Sequence, residues 1–194
     1  MLRLPIVTPR LLLRDFVAAD CVAVHSYASD PATTEHMFYA PWSWQQAAAY
    51  VESMIASQQQ LPRRLWEFAV TERATAKLIG SIDLTPEGHD AADLGYMLDR
   101  SAWGKGYASE AAAALVDAGF ARLGLRRIVA VCAVENAASM RVLLKTGLRH
   151  IDTVHNYRRA KNRDFAVHRF EIRVGEWRDG SSDRQATNQQ STPR

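Results

Sequence analysis

Residues 104–109, with the sequence Gly-Lys-Gly-Tyr-Ala-Ser, have the composition of a turn that binds an anion. The two glycines allow the backbone to come close to a ligand and to adopt positive φ angles. Apolar side chains recur at helical spacing from Tyr107 to Leu123, so the pattern predicts a helix that begins at the turn. A helix start presents free N–H groups and the positive end of the helix dipole. The stretch therefore predicts a phosphate site, while an alanine-rich core helix after a glycine turn is the alternative.

The spacing of the glycines differs from that of two common phosphate-binding loops. A dinucleotide-binding G-x-G-x-x-G loop would need glycine where Ser109 stands, and a P-loop would need Ser or Thr where Gly106 follows Lys105. The residues from Trp103 to Ala108 instead fit the pattern Gln/Arg-x-x-Gly-x-Gly/Ala. This resembles the pyrophosphate loop of the GNAT superfamily of acetyl-CoA-dependent N-acetyltransferases. Trp103 replaces the usual Gln or Arg, as is common in the branch that acetylates ribosomal-protein N-termini.

A second stretch, from Asn136 to Leu148, supports the same resemblance. It fits the pattern Asn-x-x-Ser, five residues, Lys-x-Gly-Phe/Leu, with Ser139 as its serine. Near the start, Thr-x-Arg-Leu-x-Leu-Arg from Thr8 to Arg14 is similar to the opening of the ribosomal-protein alanine acetyltransferase branch. Asn136 would serve equally well as an ordinary helix cap. Two signatures at the proper separation are more specific than one, and the resemblance extends over residues 3–177.

The resemblance implies acetyl-CoA as cosubstrate and no metal. Backbone groups of Met97, Leu98 and Asp99 would bind the pantetheine arm as if it were an added strand. Asn136 and Ser139 would contact pantetheine or the thioester, and Lys105 would add a charge for the phosphates or remain solvated. The pyrophosphate itself would lie on the loop that begins at Trp103 and on the backbone N–H groups of Gly104, Lys105, Gly106, Tyr107, Ala108 and Ser109.

The implied reaction is direct attack of an amine on the acetyl thioester in a ternary complex. An α-amino group with a pKa of about 8 loses its proton easily near neutral pH, so a weak base or a water relay would suffice. The Leu98 N–H would stabilise the oxyanion. Ser139 would act as a hydrogen-bond or proton-relay group, because Leu143 occupies the position where many members carry a tyrosine acid.

The sequence leaves the general base open. Asp93 stands where many members carry Glu, and it precedes an apolar run that would raise its pKa, although it could be only the exposed end of a strand. Glu67, Asp83 and His155 are the other candidates.

The acceptor is open as well. The expected acceptor is a protein N-terminal α-amine, and the alternatives are a small amine, a non-catalytic CoA-binding module or a nucleotide-binding fold. The aromatic segment Thr33–Trp44 would either line the acceptor groove or pack in the core.

The elements that must position these residues follow from periodicity. Strands are predicted at Thr8–Phe16, Leu65–Thr71, Leu78–Leu84, Asp93–Leu98 and Arg127–Val134, followed by a hairpin of His150–Tyr157 and Phe165–Val174; helices are predicted at Ala18–Ala28, Trp44–Gln60, Tyr107–Leu123 and after Asn136. A strand–helix–strand crossover makes Asp93–Leu98 and Arg127–Val134 parallel. The resembled fold implies that these two strands, the fourth and fifth, splay apart at their carboxyl ends. The expected fold class is α/β (α+β), a mixed and mostly antiparallel sheet of about six or seven strands flanked by about four helices.

Composition narrows the remaining classes. The 194 residues are 47% hydrophobic and 23% charged with a net charge of +3, which is typical of a soluble globular protein and gives no indication of nucleic acid. Cys21 and Cys132 lack partners at metal-binding or redox spacing. No apolar run is long enough to span a membrane, so we expect a cytoplasmic protein, either monomer or homodimer. Residues 1–177 would form one domain and residues 178–194 a disordered tail.

Overall fold

A computed structural model describes residues 4–178. Eight strands form one sheet in the order β1-β2-β3-β4-β5-β6-β8-β7. The strands are β1 (Ile6–Val7), β2 (Leu11–Arg14), β3 (Trp66–Glu72), β4 (Leu78–Pro86), β5 (Ala91–Leu98), β6 (Arg127–Ala133), β7 (Arg149–Ala160) and β8 (Arg163–Arg173). The helices are α1 (Cys21–Ala28), α2 (Pro31–Thr34), α3 (Trp44–Gln58), α4 (Tyr107–Arg122) and α5 (Ala137–Lys145), with 3₁₀ turns at Ala18–Asp20 and Arg100–Ala102. Residues 174–178 are also helical.

The predicted fold class is confirmed. The sheet is mixed and mostly antiparallel, and its parallel pair is the one expected from the crossover through α4. The structure has one strand more than expected, because the two-residue edge strand β1 pairs with β2 and is too short to produce an alternating pattern. The predicted tail begins at Arg178, and its residues 179–194 lie outside the described part of the chain.

Helix starts follow from local chemistry. Ser43 and Gln46 form a reciprocal capping box at the start of α3, in which the Ser43 N–H donates to Gln46 Oε1 at 2.8 Å. Asp30 caps α2, which begins with proline. At α5, Asn136 Oδ1 accepts from the Ser139 N–H at 2.9 Å, so Asn136 does act as a helix cap.

Helices cover both faces of the sheet. Leu94, Tyr96 and Leu98 of β5 pack in a cluster with apolar residues of α4 and α5, which defines the α4/α5 face. Met97 packs in a second cluster with residues of α1 and α3, which defines the α1/α3 face. Because side chains alternate along a strand, Asp93 and Gly95 share the α1/α3 face with Met97.

The parallel strands β5 and β6 stay together only briefly. They pair at Ala91 with Arg127, Ala92 with Ile128 and Asp93 with Val129. Beyond Asp93, β5 continues to Leu98 beside β4, and β6 continues to Ala133 beside β8. The expected splay is therefore confirmed, and it leaves a gap between the carboxyl halves of the two strands, called here the β5–β6 gap.

Candidate active site

Leu98 presents its backbone to the β5–β6 gap. The N–H of the next residue, Asp99, donates to the Ile79 carbonyl oxygen at 2.8 Å and so points towards β4. Because successive peptide groups of an extended strand point to opposite edges, the N–H and C=O of Leu98 face the gap. The Leu98 carbonyl accepts a hydrogen bond from the Trp103 indole Nε1 at 2.9 Å. The gap-facing N–H of Leu98 is thus the group of this residue that remains to bind a ligand.

The other two backbone positions expected to hold pantetheine are less suitable. Both backbone groups of Asp99 have protein partners, because its carbonyl accepts from the Ala102 N–H at 2.9 Å. The alternation along β5 turns the backbone of Met97 towards β4. Of the three residues predicted to bind pantetheine through their backbone, only Leu98 has a backbone group directed into the gap. Tyr96 is the next residue of β5 whose backbone faces it.

The turn before α4 has the features of an anion site. Gly104 and Gly106 have φ angles of 73° and 79°, a region that favours glycine. The first backbone bond of the helix runs from the Glu110 N–H to the Gly106 carbonyl at 3.1 Å. Within residues 4–178, no protein group accepts a hydrogen bond from the amides of residues 104–109. A pyrophosphate group fits this turn, because a Cβ placed on Gly104 would meet nothing within 4 Å.

Arg10, the residue before β2, fixes the turn in place. Its Nε lies 2.6 Å from Glu110 Oε2, and its Nη1 donates to the Lys105 carbonyl at 2.8 Å. The guanidinium also lies 4.7 Å from the centre of the Tyr107 ring. Thr8 Oγ1 donates to Glu110 Oε1 at 2.6 Å. The Thr-x-Arg opening of the chain thus anchors the first turn of α4.

Ser139 has a partner that the sequence did not indicate. Its Oγ lies 2.7 Å from the Tyr96 hydroxyl, which also lies 3.2 Å from the Ser139 carbonyl oxygen. The contact joins β5 to the first turn of α5 between residues 43 positions apart. Burial raises the pKa of Tyr96 above its ordinary value, although the bond to Ser139 acts in the opposite direction. The sequence did contain one signal for this contact. Tyr96 lies two residues from both Leu94 and Leu98, so its side chain shares their face of the strand.

Three carboxylates lie together on the α1/α3 face. Glu67 of β3 is opposite Asp83 of β4, and Asp83 is opposite Gly95 of β5. Asp93 is two residues before Gly95 and shares its face. A Cβ on Gly95 would overlap the Asp83 carboxylate, so the glycine leaves the space that this side chain occupies. The Tyr50 hydroxyl of α3 donates to Glu67 Oε1.

Burial raises the pKa of all three carboxyl groups towards neutral pH. It raises the pKa of Glu67 to about 8, with a further contribution from the charge of Asp83. It raises the pKa of Asp83 to about 6, against a hydrogen bond from Thr85. It raises the pKa of Asp93 to about 7, with additional contributions from Asp83 and Glu87. Carboxylates with such values can take up and release protons near pH 7.

The predicted site residues fall into separate groups. Asp93, Asp83 and Glu67 come together on the α1/α3 face, whereas Ser139 and Tyr96 meet on the α4/α5 face. His155 is exposed on β7, which is three strands away from β5 in the sheet. Of these groups, Asp93 at the last β5–β6 pair and the Tyr96–Ser139 contact lie next to the gap, on opposite faces of the sheet.

The aromatic segment before α3 packs in part against the core, which is one of its two expected purposes. Tyr39 and Trp42 pack against the cluster of the α1/α3 face. Their ring centres are 5.4 Å apart, and Trp42 lies 5.0 Å from Tyr50. Burial raises the pKa of Tyr39 to about 12, with further contributions from the negative charges of Glu67 and Asp83.

Other kinds of site find little support in the described residues. Across residues 4–178, no three His, Cys, Asp or Glu side chains are arranged to hold a metal ion. None of the helices in that range is long and apolar enough to cross a bilayer.

Comparisons with known proteins agree with the geometry. Residues 10–149 match the model of the acetyltransferase (GNAT) domain. The chain is 32% identical to N-acetyltransferase p20 of Bacillus licheniformis, described as uncharacterized, over 85% of this chain and 93% of that protein. A GNAT-family acetyltransferase from Bacillus anthracis is similar with a TM-score of 0.80 and 27% identity, over 89% of this chain and 99% of the other.

Two structures from Vibrio cholerae illustrate the range of acceptors among the neighbours. A proposed ribosomal-protein-serine acetyltransferase has a TM-score of 0.74 and 26% identity, over 87% of this chain and 97% of the other. Spermidine N-acetyltransferase in complex with CoA and spermine has a TM-score of 0.75 over 88% of this chain and 99% of the other, but at 20% identity it shows likeness of fold alone. With the matching domain model, these observations show that the chain belongs to the GNAT family of acetyl-CoA-dependent N-acetyltransferases.

Proposed function

We propose that this enzyme transfers the acetyl group of acetyl-CoA to a primary amine, and that the amine is the α-amino group of a protein or peptide. The observation that carries the proposal is the parting of β5 and β6 beside a helix start whose first amides are free. An extended ligand with a diphosphate can occupy both places, because a strand edge binds its amide groups and a helix start attracts its phosphates.

The chain's own groups would divide the binding between them. The amides of residues 104–109 would hold the diphosphate, and the gap-facing N–H of Leu98 would hold the acyl end. Asn136 and Ser139 would contact the arm between them from the start of α5. Bound acetyl-CoA supplies an acetyl thioester, and much of the rate would come from orienting the amine against it.

Asp93 is the base that we propose, and it would act through a water relay, because it lies five strand residues before Leu98, which would hold the acyl end. It lies at the last β5–β6 pair, at the root of the gap, and its pKa of about 7 leaves a large deprotonated fraction at neutral pH. Asp83 lies on the same face, and its negative charge helps to raise the pKa of Asp93. An α-amino acceptor with a pKa of about 8 needs only modest assistance, whereas a lysine with a pKa of about 10 needs more.

The developing negative charge on the thioester oxygen and on the leaving sulfur would be stabilised by groups on the other side of the gap. The Leu98 N–H would stabilise negative charge on the thioester oxygen as the amine attacks. The Ser139 hydroxyl, positioned by Tyr96, would donate a hydrogen bond to the leaving sulfur. A thiolate is a good leaving group, so this contribution should be smaller than that of the base.

The test is a thermal shift followed by a thiol-release assay. Acetyl-CoA at millimolar concentration should raise the Tm, because a ligand that binds only the folded state stabilises it. Thiol release should require an added amine, and N-terminal peptides should have a higher kcat/KM than small amines. An unchanged Tm would refute CoA binding, and CoA binding without any acceptor would indicate a non-catalytic module.

A small polycationic amine is the second candidate acceptor. Tyr50 joins Glu67 to the neighbouring rings of Trp42 and Tyr39, and this combination is suited to a polyamine, since both carboxylates and aromatic faces attract ammonium groups. Spermidine in the same thiol-release panel distinguishes the two candidates, because a higher kcat/KM for spermidine than for every peptide would favour the polyamine.

A further inference from the structure

A cleft lies between the aromatic segment and the β7–β8 hairpin. Its volume is about 710 Å³, with Phe38, Tyr39 and Ala40 on one side and residues 158–161 on the other. Phe38 contacts the hairpin directly, with ring centres 5.8 Å from Tyr157 and 5.2 Å from Phe165. One wall of the cleft is therefore aromatic and the other contains two arginines and a lysine.

Two of the three cations of the cleft are available to a ligand. Arg158 lies 5.5 Å from the centre of the Phe38 ring, and no carboxylate within residues 4–178 is close enough to pair with it. Arg159 is 3.3 Å from Asp164, but its side chain is 71% exposed, so this pair is weak. Lys161 has a different task, because its Nζ donates to the carbonyls of Thr34 at 2.8 Å and Glu35 at 2.9 Å.

Tyr39 connects this cleft to the buried carboxylates. It lines the cleft and contacts Trp42, which contacts Tyr50, whose hydroxyl donates to Glu67. The effect of Glu67 and Asp83 on the pKa of Tyr39 agrees with this proximity. A molecule lying along the aromatic segment thus has negative charge at one end of its path and positive charge at the other.

We propose that the acceptor is a peptide with an acidic sequence after its N-terminus, whose α-amine reaches the carboxylates while its acidic side chains bind Arg158 and Arg159. This inference rests on the proposed function and names the substrate class. Arginine is suited to the task, because its guanidinium binds a carboxylate through two parallel hydrogen bonds. Lys161 instead ties the hairpin to the carboxyl end of α2.

The experiment measures kcat/KM for three peptides that share one N-terminal residue and carry acidic, neutral or basic residues behind it. The acidic peptide should exceed the neutral peptide by about 10-fold at low salt, and the advantage should shrink as salt screens the charges. Double substitution Arg158→Gln with Arg159→Gln should remove most of that advantage, through KM. Double reversal to Glu should make the basic peptide the preferred one. Arg126→Glu is the matched control, since Arg126 is exposed at the opposite end of β6 and should change none of these ratios.

The outcomes separate this inference from the proposed function. Equal kcat/KM for all three peptides, or no effect of the charge reversal, would overturn the inference while leaving peptide acetylation intact. Failure to acetylate any peptide, with CoA binding retained, would overturn both. A higher kcat/KM for spermidine than for the acidic peptide would also overturn the inference. So would binding of an RNA oligonucleotide in the cleft together with rates of acetylation that do not depend on peptide charge.

Discussion

The most informative single contact in the site is the hydrogen bond between Tyr96 and Ser139. A serine hydroxyl alone is a poor acid at neutral pH, and its rotamer is free to turn away from a reacting group. The Tyr96 hydroxyl holds it at 2.7 Å from the side of β5. Because burial raises the pKa of Tyr96, the phenol stays protonated and can donate to Ser139 while Ser139 donates to a leaving group.

Tyr96→Phe should lower kcat by about 5- to 10-fold, the equivalent of one neutral hydrogen bond of about 1 kcal/mol. The KM for acetyl-CoA should change little, since the ring remains in the α4/α5 cluster. Single-turnover and steady-state kinetics measure both quantities. Ser53→Ala is the control, because it removes an exposed hydroxyl that donates only to a backbone carbonyl of its own helix. Unchanged kcat in Tyr96→Phe would show that Ser139 needs no positioning.

Asp93 should give the enzyme a pH dependence of its own. Its deprotonated form is the active base, so kcat/KM should rise as pH increases through about 7, the pKa of this buried carboxyl. Asp93→Asn should lower kcat/KM by about 100-fold and remove that inflection, leaving the rise due to the acceptor amine. A pH–rate profile from pH 5 to 9 checks this. If Asp83→Asn removes the inflection and Asp93→Asn does not, the base is Asp83.

At the scale of elements, the start of α4 depends on a segment far away in the sequence. The backbone enters the helix through Gly106 in the left-handed conformation, and Glu110 on the first turn binds Thr8 and Arg10. The ion pair of Arg10 with Glu110 also neutralises a carboxylate that would otherwise repel phosphate. The loop before β2 thus determines both the position and the charge of the anion site.

Gly104→Ala should weaken acetyl-CoA binding by about 10-fold while costing about 1 kcal/mol of stability. Its φ is 73° and an added Cβ meets no protein atom within 4 Å, so loss of affinity beyond the backbone strain reflects contact with the ligand. Gly88→Ala is a matched control with φ of 82° and equally open surroundings in the β4–β5 loop. Calorimetric titration and thermal melts of both variants make the comparison. Equal affinity losses in both would place the ligand elsewhere.

Much at this scale was predictable from sequence. The strands from β3 to β6 and helix α4 were found within a residue or two, because β-branched runs and helical spacing are local signals. The parallel pairing of β5 and β6 followed from chain connectivity. The splay and the predicted roles of Leu98 and Ser139 came from the family resemblance, and no pattern of polarity would have indicated them.

The sequence did not indicate the long-range side-chain contacts, the edge strand or the β4–β5 register. The Tyr96–Ser139 and Tyr50–Glu67 contacts depend on which faces meet after folding. The strand β1 is two residues long and its pairing depends on β2. The space that Gly95 leaves for Asp83 requires the β4–β5 register, which a local pattern does not specify.

On the scale of the whole molecule, the buried carboxylates reduce stability in return for reactivity. A carboxyl whose folded pKa is raised above its unfolded value favours folding less as pH rises, because the unfolded state releases the proton first. For Glu67 this window runs from about 4.5 to about 8. Below it the group has no effect on the free energy of unfolding, and above it the full penalty is present.

Glu67→Gln should therefore stabilise the protein by a few kcal/mol at pH 8 and leave it unchanged at pH 4, at about 1.4 kcal/mol for each pKa unit. The amide oxygen can still accept the Tyr50 hydroxyl, so packing is retained. Urea unfolding at several pH values measures the difference. Glu52→Gln, on the exposed part of α3, should show no such trend. A pH-independent difference would contradict the burial argument.

The brief pairing of β5 with β6 means that five strands on one side and three on the other are joined in the sheet by three residue pairs. A cosubstrate lying between them would act as a ninth strand. Its binding should reduce local opening along this seam, the junction between β5 and β6. Hydrogen exchange at the Tyr96 and Leu98 amides should then slow markedly on adding CoA, whereas amides in β3, remote from the seam, should keep their rates.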